Sequence, residues 1–299
     1  MKDGVRLAVG FFDGVHLGHQ KILSGANAVL TFENHPLSVL ADARPPMLLM
    51  DANERLRILA SEGTKHPRDV RAIRFTRRFA SQEPEEFAEF LRREYPTLER
   101  IHCGGNWRFG AQGAGTPATL RALGFNVKVC RYAKYKGARV SSTRIRAALA
   151  EGLVEDANAM LGRPFAVTGA VMPGKGVGKA IGAPTLNLSV SLPLKHGVYA
   201  VKTQYGGGVA NYGVAPTMGR MAWTKPVLEV HLFDGAAIEA VSTLRVAFQS
   251  FLRPEMVFPS SAALSEQIRA DIAAANFQTV PCPDGMFSPS RARDGSAAS

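Results

Sequence analysis

Three cysteines in 299 residues, widely spaced and forming no CxxC pair, exclude a disulfide framework and a zinc site as expectations. Cys103, Cys130 and Cys282 are an odd number, so a reducing cytoplasm is the expected location. No apolar run approaches the roughly 18 residues that cross a bilayer, so no membrane partner is expected. Lys2 and Arg6 lead only into a short apolar run that breaks at FFDG, and no signal peptide is expected. Internal repeats are lacking. So are a basic tail and any interleaving of aromatic and basic residues, although the net charge is +11. Nucleic acid is therefore not the expected partner. Phosphorylated small molecules fit the glycine-rich stretches better.

What is present suits two domains. Apolar residues make up 46% of the chain, ample for two cores. The first half alternates strand and helix signals. Residues 7–9 and 28–32 (AVLTF), then 100–103 and 127–130, read as strands. Residues 84–93 read as a helix: Pro84 sits in its first turn, Glu85 and Glu86 favour its N-terminus, and Phe87, Phe90 and Leu91 form a stripe. Residues 141–149 start with hydroxyl caps, and Gly152 ends that helix. This alternation predicts an α/β domain with a parallel sheet. Near Gly162 the pattern changes to short alternating strands. Leu228, Val230 and Leu232 oppose Glu229 and His231; Leu244, Val246 and Phe248 alternate with Arg245, Ala247 and Gln249. An antiparallel barrel or sandwich is expected there. A helix over 261–275 carries Leu264, Ile268 and Ile272 on one stripe, and residues after about 280 read as a disordered tail.

Residues 11–20 (FFDGVHLGHQ) follow the first strand and open a helix, where backbone N–H groups suit a phosphate. His16 and His19, three apart, share a face of the first turn and can donate to charge developing on a phosphoryl group. Gly14 and Gly18 allow close approach to a ligand. The same pair is open to reading as metal ligands or as surface residues. Residues 140–146 (VSSTRIR) place three hydroxyls and the guanidiniums of Arg144 and Arg146 at a helix start. They suit phosphate oxygens, or simply cap a helix.

The second cluster lies at 173–187. Gly174, Gly176, Gly178 and Gly182 can surround phosphates with N–H groups, and Lys175 and Lys179 add charge. Thr185 and Asn187 supply oxygens suited to Mg²⁺. No GK[ST] ends the segment, so it is not a P-loop, and a plain glycine-rich hairpin competes with the phosphate reading. Glu229, mid-strand, is placed either to accept a proton from a substrate hydroxyl or to face solvent.

Four motifs in order, FFDGVHLGHQ, TFENHP (31–36), GGNWRFG (104–110) and SSTRIR (141–146), resemble the nucleotidyltransferase domain of bacterial bifunctional FAD synthetases. LGRPFAVTG (161–169), GxxxGxxxGxPTxN (174–187), GVYAV (197–201), NYGVAPT (211–217), LEVHLFD (228–234) and FLRPEMVF (251–258) resemble the riboflavin kinase barrel. The resemblance implies a Rossmann-like nucleotidyltransferase domain over 1–160, a riboflavin kinase β-barrel with a terminal helix over 161–279, and a tail over 280–299. It implies that His16 and His19 stabilise the transition state of FMN adenylylation by ATP, giving FAD and pyrophosphate. Gly10, Phe12, Asp13, Gly18, His35, Asn106, Ser141, Ser142, Thr143 and Arg144 would line that site. On the barrel, Glu229 would activate riboflavin, making FMN from ATP. Thr185 and Asn187 would bind Mg–ATP, with Gly174, Lys179, Gly182, Pro184 and Arg253 around them. The implied small-molecule partners are ATP, riboflavin and FMN. Three departures stand out: only ten residues (21–30) separate Gln20 from Thr31, which demands a short helix; Ala215 replaces an arginine; and residues 235–240 replace a Leu-Tyr-Gly turn. Retention of one activity, a non-catalytic flavin-binding regulator, and transfer to another nucleotide-like acceptor are the competing expectations.

Overall fold

The structure, a computed structural model, describes residues 4–40, 45–61, 68–172, 185–214, 226–233 and 241–276. It divides into two compact units: 1–147 with 159–163, and 148–158 with 164–299.

In the first unit the strands β1 (Val5–Val9), β2 (Ala28–Phe32), β3 (Asp69–Ile73), β4 (Leu98–Gly104) and β5 (Val127–Cys130) form one sheet in the order β3-β2-β1-β4-β5. Every pairing is parallel. Alternate residues of β1 feed opposite cores. Leu7 and Val9 pack with Phe87, Leu91, Ile101 and Leu120; Ala8 packs with Val15, Leu23, Val29 and Leu59. Burial on both faces is what a crossover-built sheet requires. β1 has its sequence neighbour β2 on one side and β4 on the other. That reversal opens a crevice beyond the carboxyl ends of β1 and β4, the usual ligand position in such sheets.

The β1–β2 crossover is as short as expected. Its helix α1 (Leu17–Leu23) has seven residues. Ser24 N–H closes it on Gln20 O, and Gly25 turns the chain at φ +81°. Asn27 N–H then donates to Arg6 O at 3.0 Å. The register of β1 on β2 is unbroken, with Leu7 beside Ala28 and Val9 beside Leu30. The other helices of the chain are α2 (Leu37–Leu40), α3 (Ala52–Ser61), α4 (Arg77–Ala80), α5 (Pro84–Glu94), α6 (Pro117–Ala122), α7 (Ser142–Glu151), α8 (Val154–Leu161) and α9 (Ser261–Asn276). α5 begins as anticipated, with Pro84 in its first turn and Glu86 Oε2 accepting from Glu83 N–H at 2.8 Å. A small hairpin, β6 (Lys134–Tyr135) with β7 (Ala138–Arg139), precedes α7.

The second unit is a closed barrel, not a sandwich. Its strands β8 (Phe165–Met172), β9 (Thr185–Ser189), β10 (Gly197–Thr203), β11 (Gly206–Gly213), β12 (Val227–Leu232) and β13 (Thr243–Arg253) run in the order β10-β11-β12-β9-β8-β13. Pairing is antiparallel throughout. Phe165, Tyr199 and Phe248 meet in its interior. On the outer face, Ile272 and Ala275 of α9 cover Val198, Ala200 and Val209. The alternation expected for residues 244–249 is present: Leu244, Val246 and Phe248 are buried, Arg245 and Gln249 are half-buried, and Ala247, on their face, is also buried.

Among the described residues, no helix is long and apolar enough to cross a membrane. Gly174, Lys179, Gly182 and Pro184, the departures at Ala215 and 235–240, Cys282 and the 280–299 segment lie outside the described residues.

Candidate functional site

The first site is built on the turn after β1. Three of its residues take the left-handed region: Phe12 at φ +60°, Gly14 at +80° and Val15 at +37°. Left-handed non-glycine residues cost energy and persist only when neighbours over-determine them. Here the neighbours are explicit. Asp13 is buried; its Oδ1 accepts from Leu49 N–H at 2.9 Å and its Oδ2 from Arg146 Nη1 at 2.7 Å. Burial raises the Asp13 pKa, and those two contacts oppose the rise. Ser142 Oγ donates to Asp13 O at 2.8 Å. Buried Arg55 donates to Phe11 O at 2.9 Å, Phe32 O at 2.7 Å and Glu33 O at 3.2 Å, and lies 4.0 Å over the Phe11 ring. Replacing Arg55 by Met strands these carbonyls. We expect the first unit to lose about 3 kcal/mol, read by denaturant unfolding.

His16 is the N-cap of α1, one residue before the helix, not a member of its first turn. Its Nδ1 accepts from Gly18 N–H at 3.1 Å and His19 N–H at 3.3 Å. His19 stacks on it, centroids 3.6 Å apart and 16° from parallel. Gly18 belongs there because a Cβ would sit 3.0 Å from the His16 ring. Because Nδ1 of His16 accepts, its proton in the neutral form is on Nε2. Burial keeps both rings neutral: it lowers the His16 pKa to about 4 and holds that of His19 well below its ordinary value. His19 Nδ1 is buried without a hydrogen-bond partner among the described residues.

A depressed imidazole pKa means that the folded chain resists protonation more than the unfolded one. His16 thus contributes stability that is complete above pH 6.5 and is lost as pH falls towards 4. Asparagine caps helices as well and does not titrate there. The unfolding free energy of wild type, relative to H16N, is expected to fall by about 3 kcal/mol between pH 7.5 and pH 4. A constant difference across that range would contradict the assignment.

These groups line a cleft of about 470 Å³ beyond β1 and β4. Gly10, Phe12, Asp13, His16, Gly18, His19, His35, Asn106, Ser141, Ser142 and Thr143 all border it, as does Arg146. His35 packs edge-on to Phe11, with centroids 4.6 Å apart. Arg144 stands apart from this set. Its Nη1 donates to the carbonyls of Tyr135 and Ala138 at 2.9 Å each and of Arg139 at 3.3 Å, so it braces the β6–β7 hairpin.

On the barrel, register assembles a second group. Glu229 on β12 lies opposite Asn187 on β9 and Asn211 on β11; Thr185 lies opposite His231. Asn211 in turn faces Val198, and Val198 faces Arg253. The row runs along the outer face, because Leu228 and Val230 point into the core. Directly opposed side chains of antiparallel strands are about 5 Å apart at Cβ. Asn187 is 7% exposed, and its Oδ1 is buried without a hydrogen-bond partner among the described residues. Arg253 is held bidentately by Asp271 at 2.9 and 2.7 Å and donates to Pro254 O.

The FAD synthetase family model matches residues 1–144, and the riboflavin kinase model matches residues 161–278. The bifunctional riboflavin kinase/FMN adenylyltransferase of Escherichia coli (strain K12) is 34% identical over 90% of this chain and 91% of its own length. The chain belongs to the bifunctional riboflavin kinase/FMN adenylyltransferase family. The protein of the same description from Haemophilus influenzae is 34% identical, covering 91% of this chain and 93% of that one. A crystal structure described as a macrolide-efflux protein from Streptococcus pneumoniae superposes with a TM-score of 0.79 at 27% identity, over 93% of this chain and 96% of that chain. In this family member the parallel-sheet domain is the FMN adenylyltransferase and the barrel the riboflavin kinase.

Sequence reasoning left several cleft residues unnamed. Trp107, Tyr132 and Arg139 border the cleft. Arg139 lies 3.6 Å over the Tyr132 ring and donates to Asn106 Oδ1 at 3.1 Å. Arg55 and Asn211 were also unassigned. Only NWRFG, already part of a quoted motif, pointed towards Trp107. Asn211 opens the quoted NYGVAPT motif, while Tyr132, Arg139 and Arg55 occupy stretches without periodic or motif signal.

Proposed function

We propose that adenylyl transfer is carried by the stacked pair His16 and His19 at the start of α1. Their placement at the mouth of the sheet's crevice is the observation that supports this reading. An FMN phosphate oxygen attacks the α-phosphorus of ATP, and pyrophosphate leaves. The neutral imidazoles donate hydrogen bonds to oxygens that gain charge, with no protein nucleophile required. The backbone N–H groups at the start of α7, that of Ser142 among them, and the hydroxyls of Ser141 and Thr143 take further phosphate oxygens, while the Ser142 hydroxyl holds Asp13 O. Arg146 faces the same cleft. Arg144 serves by bracing the hairpin beside it, not by direct contact. Asn106 and His35 border the place for the substrates.

On the barrel, Glu229 takes the proton of the riboflavin 5′-hydroxyl as that oxygen attacks the γ-phosphorus, and ADP leaves. Asn187 Oδ1, buried and without a partner among the described residues, suits a cation. With the Thr185 hydroxyl it would hold Mg²⁺ as the ATP complex. When bound, the ion neutralises phosphate charge. Gly174, Lys179, Gly182 and Pro184 remain candidates for contacts to ATP, and Arg253 orders the end of β13 near the flavin. The reducing cytoplasm remains the proposed location.

One incubation tests the whole reading: riboflavin with Mg–ATP, followed by separation of flavins over time. FMN should appear first and FAD after it. FMN without FAD would refute the transferase half. FAD formed only from supplied FMN would refute the kinase half. Flavin binding without ATP consumption would favour the regulator.

A further inference from the structure

We propose that Arg163 is a positioning residue for adenylyl transfer, although it falls within the span matched by the riboflavin kinase model. The proposal rests on the histidine reading above. Arg163 belongs spatially to the first unit. Its Nη2 donates to Gly14 O at 2.7 Å and its Nη1 to Val15 O at 3.1 Å. These carbonyls flank the left-handed residue immediately before His16. Gln20 completes the clamp from α1, donating from Nε2 to Val15 O at 3.1 Å and to Leu161 O at 3.0 Å.

The corner that delivers Arg163 is built for this approach. Gly162 has φ +74°, and a Cβ there would stand 2.8 Å from Leu17 Cδ2. Val15 sits at φ +37°, a conformation a β-branched residue avoids unless held. Two of the donors that hold it come from Arg163 and Gln20. Without Arg163, Gly14 O loses its donor and Val15 O keeps only Gln20, so the residue before His16 can shift, and with it the N-cap that aims the His16 ring. Displacements of about 1 Å at a phosphoryl-transfer site cost on the order of 10²-fold in rate. The arginine spends its donors on backbone carbonyls, not on substrate. It acts through the turn.

The test measures both reactions in the full chain. R163A is expected to lower kcat for FAD formation from supplied FMN about 10²-fold. KM for FMN and the rate of FMN formation from riboflavin should stay within about twofold of wild type. Wild-type kcat in a folded R163A protein would overturn the proposal, as would an equal loss of both activities. If R163A does not fold, R163Q offers one amide to the two carbonyls and should lose about tenfold; an R163Q protein at the wild-type rate overturns the proposal equally. H16N in parallel separates the two readings. Loss in H16N without loss in R163A refutes Arg163 alone, whereas full activity in H16N refutes the histidine reading on which it rests.

Discussion

Glu229→Gln is expected to slow FMN formation by about 10³-fold while leaving adenylylation of supplied FMN unchanged. General-base assistance contributes roughly 10²–10⁴-fold, and glutamine keeps the size of the side chain while losing its ability to take a proton. Register makes this carboxylate the candidate: it stands between Asn187 and Asn211 on the neighbouring strands, on the barrel's outer face. The glutamine variant should bind riboflavin and unfold like wild type, because Leu228 and Val230 on the inward face are untouched. A kinase rate within tenfold of wild type would show that the hydroxyl proton leaves by another route.

His19→Gln is expected to lower FAD formation from supplied FMN by about 10²–10³-fold, with the kinase rate unchanged. Removal of one donor aimed at developing charge typically costs that much. The two rings are stacked at 3.6 Å, so they act as a unit. The double variant H16N/H19Q should therefore lose little more than the worse single variant, because effects within such a unit are strongly non-additive. Losses that multiply would mean that the two rings act independently. Slowed FMN formation in H19Q would point to general destabilisation instead.

Much of this architecture was legible in the sequence because its signals are local. AVLTF is a strand because of its own side chains, and β2 has the anticipated limits. Pro84 and the two glutamates that follow it favour a helix start, and α5 begins there. The alternation of Leu228 to Leu232 announced a half-covered strand, and the structure buries the apolar members. The FFDGVHLGHQ segment was legible as a strand–turn–helix corner, with glycines after a strand and before a helix, and the structure places it between β1 and α1.

The contacts that shape the cleft were less legible, because they join residues far apart in the chain. VSSTRIR presents Arg144 and Arg146 as equivalent candidates. Tertiary structure separates them: Arg146 meets Asp13, 133 residues away, while Arg144 turns to hairpin carbonyls. Arg55 and Arg163 look like ordinary surface charges in sequence, yet both hold carbonyls of the turn between β1 and α1. Likewise, periodicity indicated antiparallel strands but left barrel and sandwich open, because closure depends on which edges pair.

By itself, then, the sequence determined the elements with strong local signals, among them β2, α5, β12 and the last helix, the order of the two domains and the positions of the candidate histidines and Glu229. These follow from local propensity and from patterns a few residues long. Only the tertiary structure decided that the barrel closes, that Asn187 and Asn211 flank Glu229, and that arginines from three distant segments brace one turn. Register and long-range hydrogen bonds depend on the packing of the whole chain, and no local stretch encodes them.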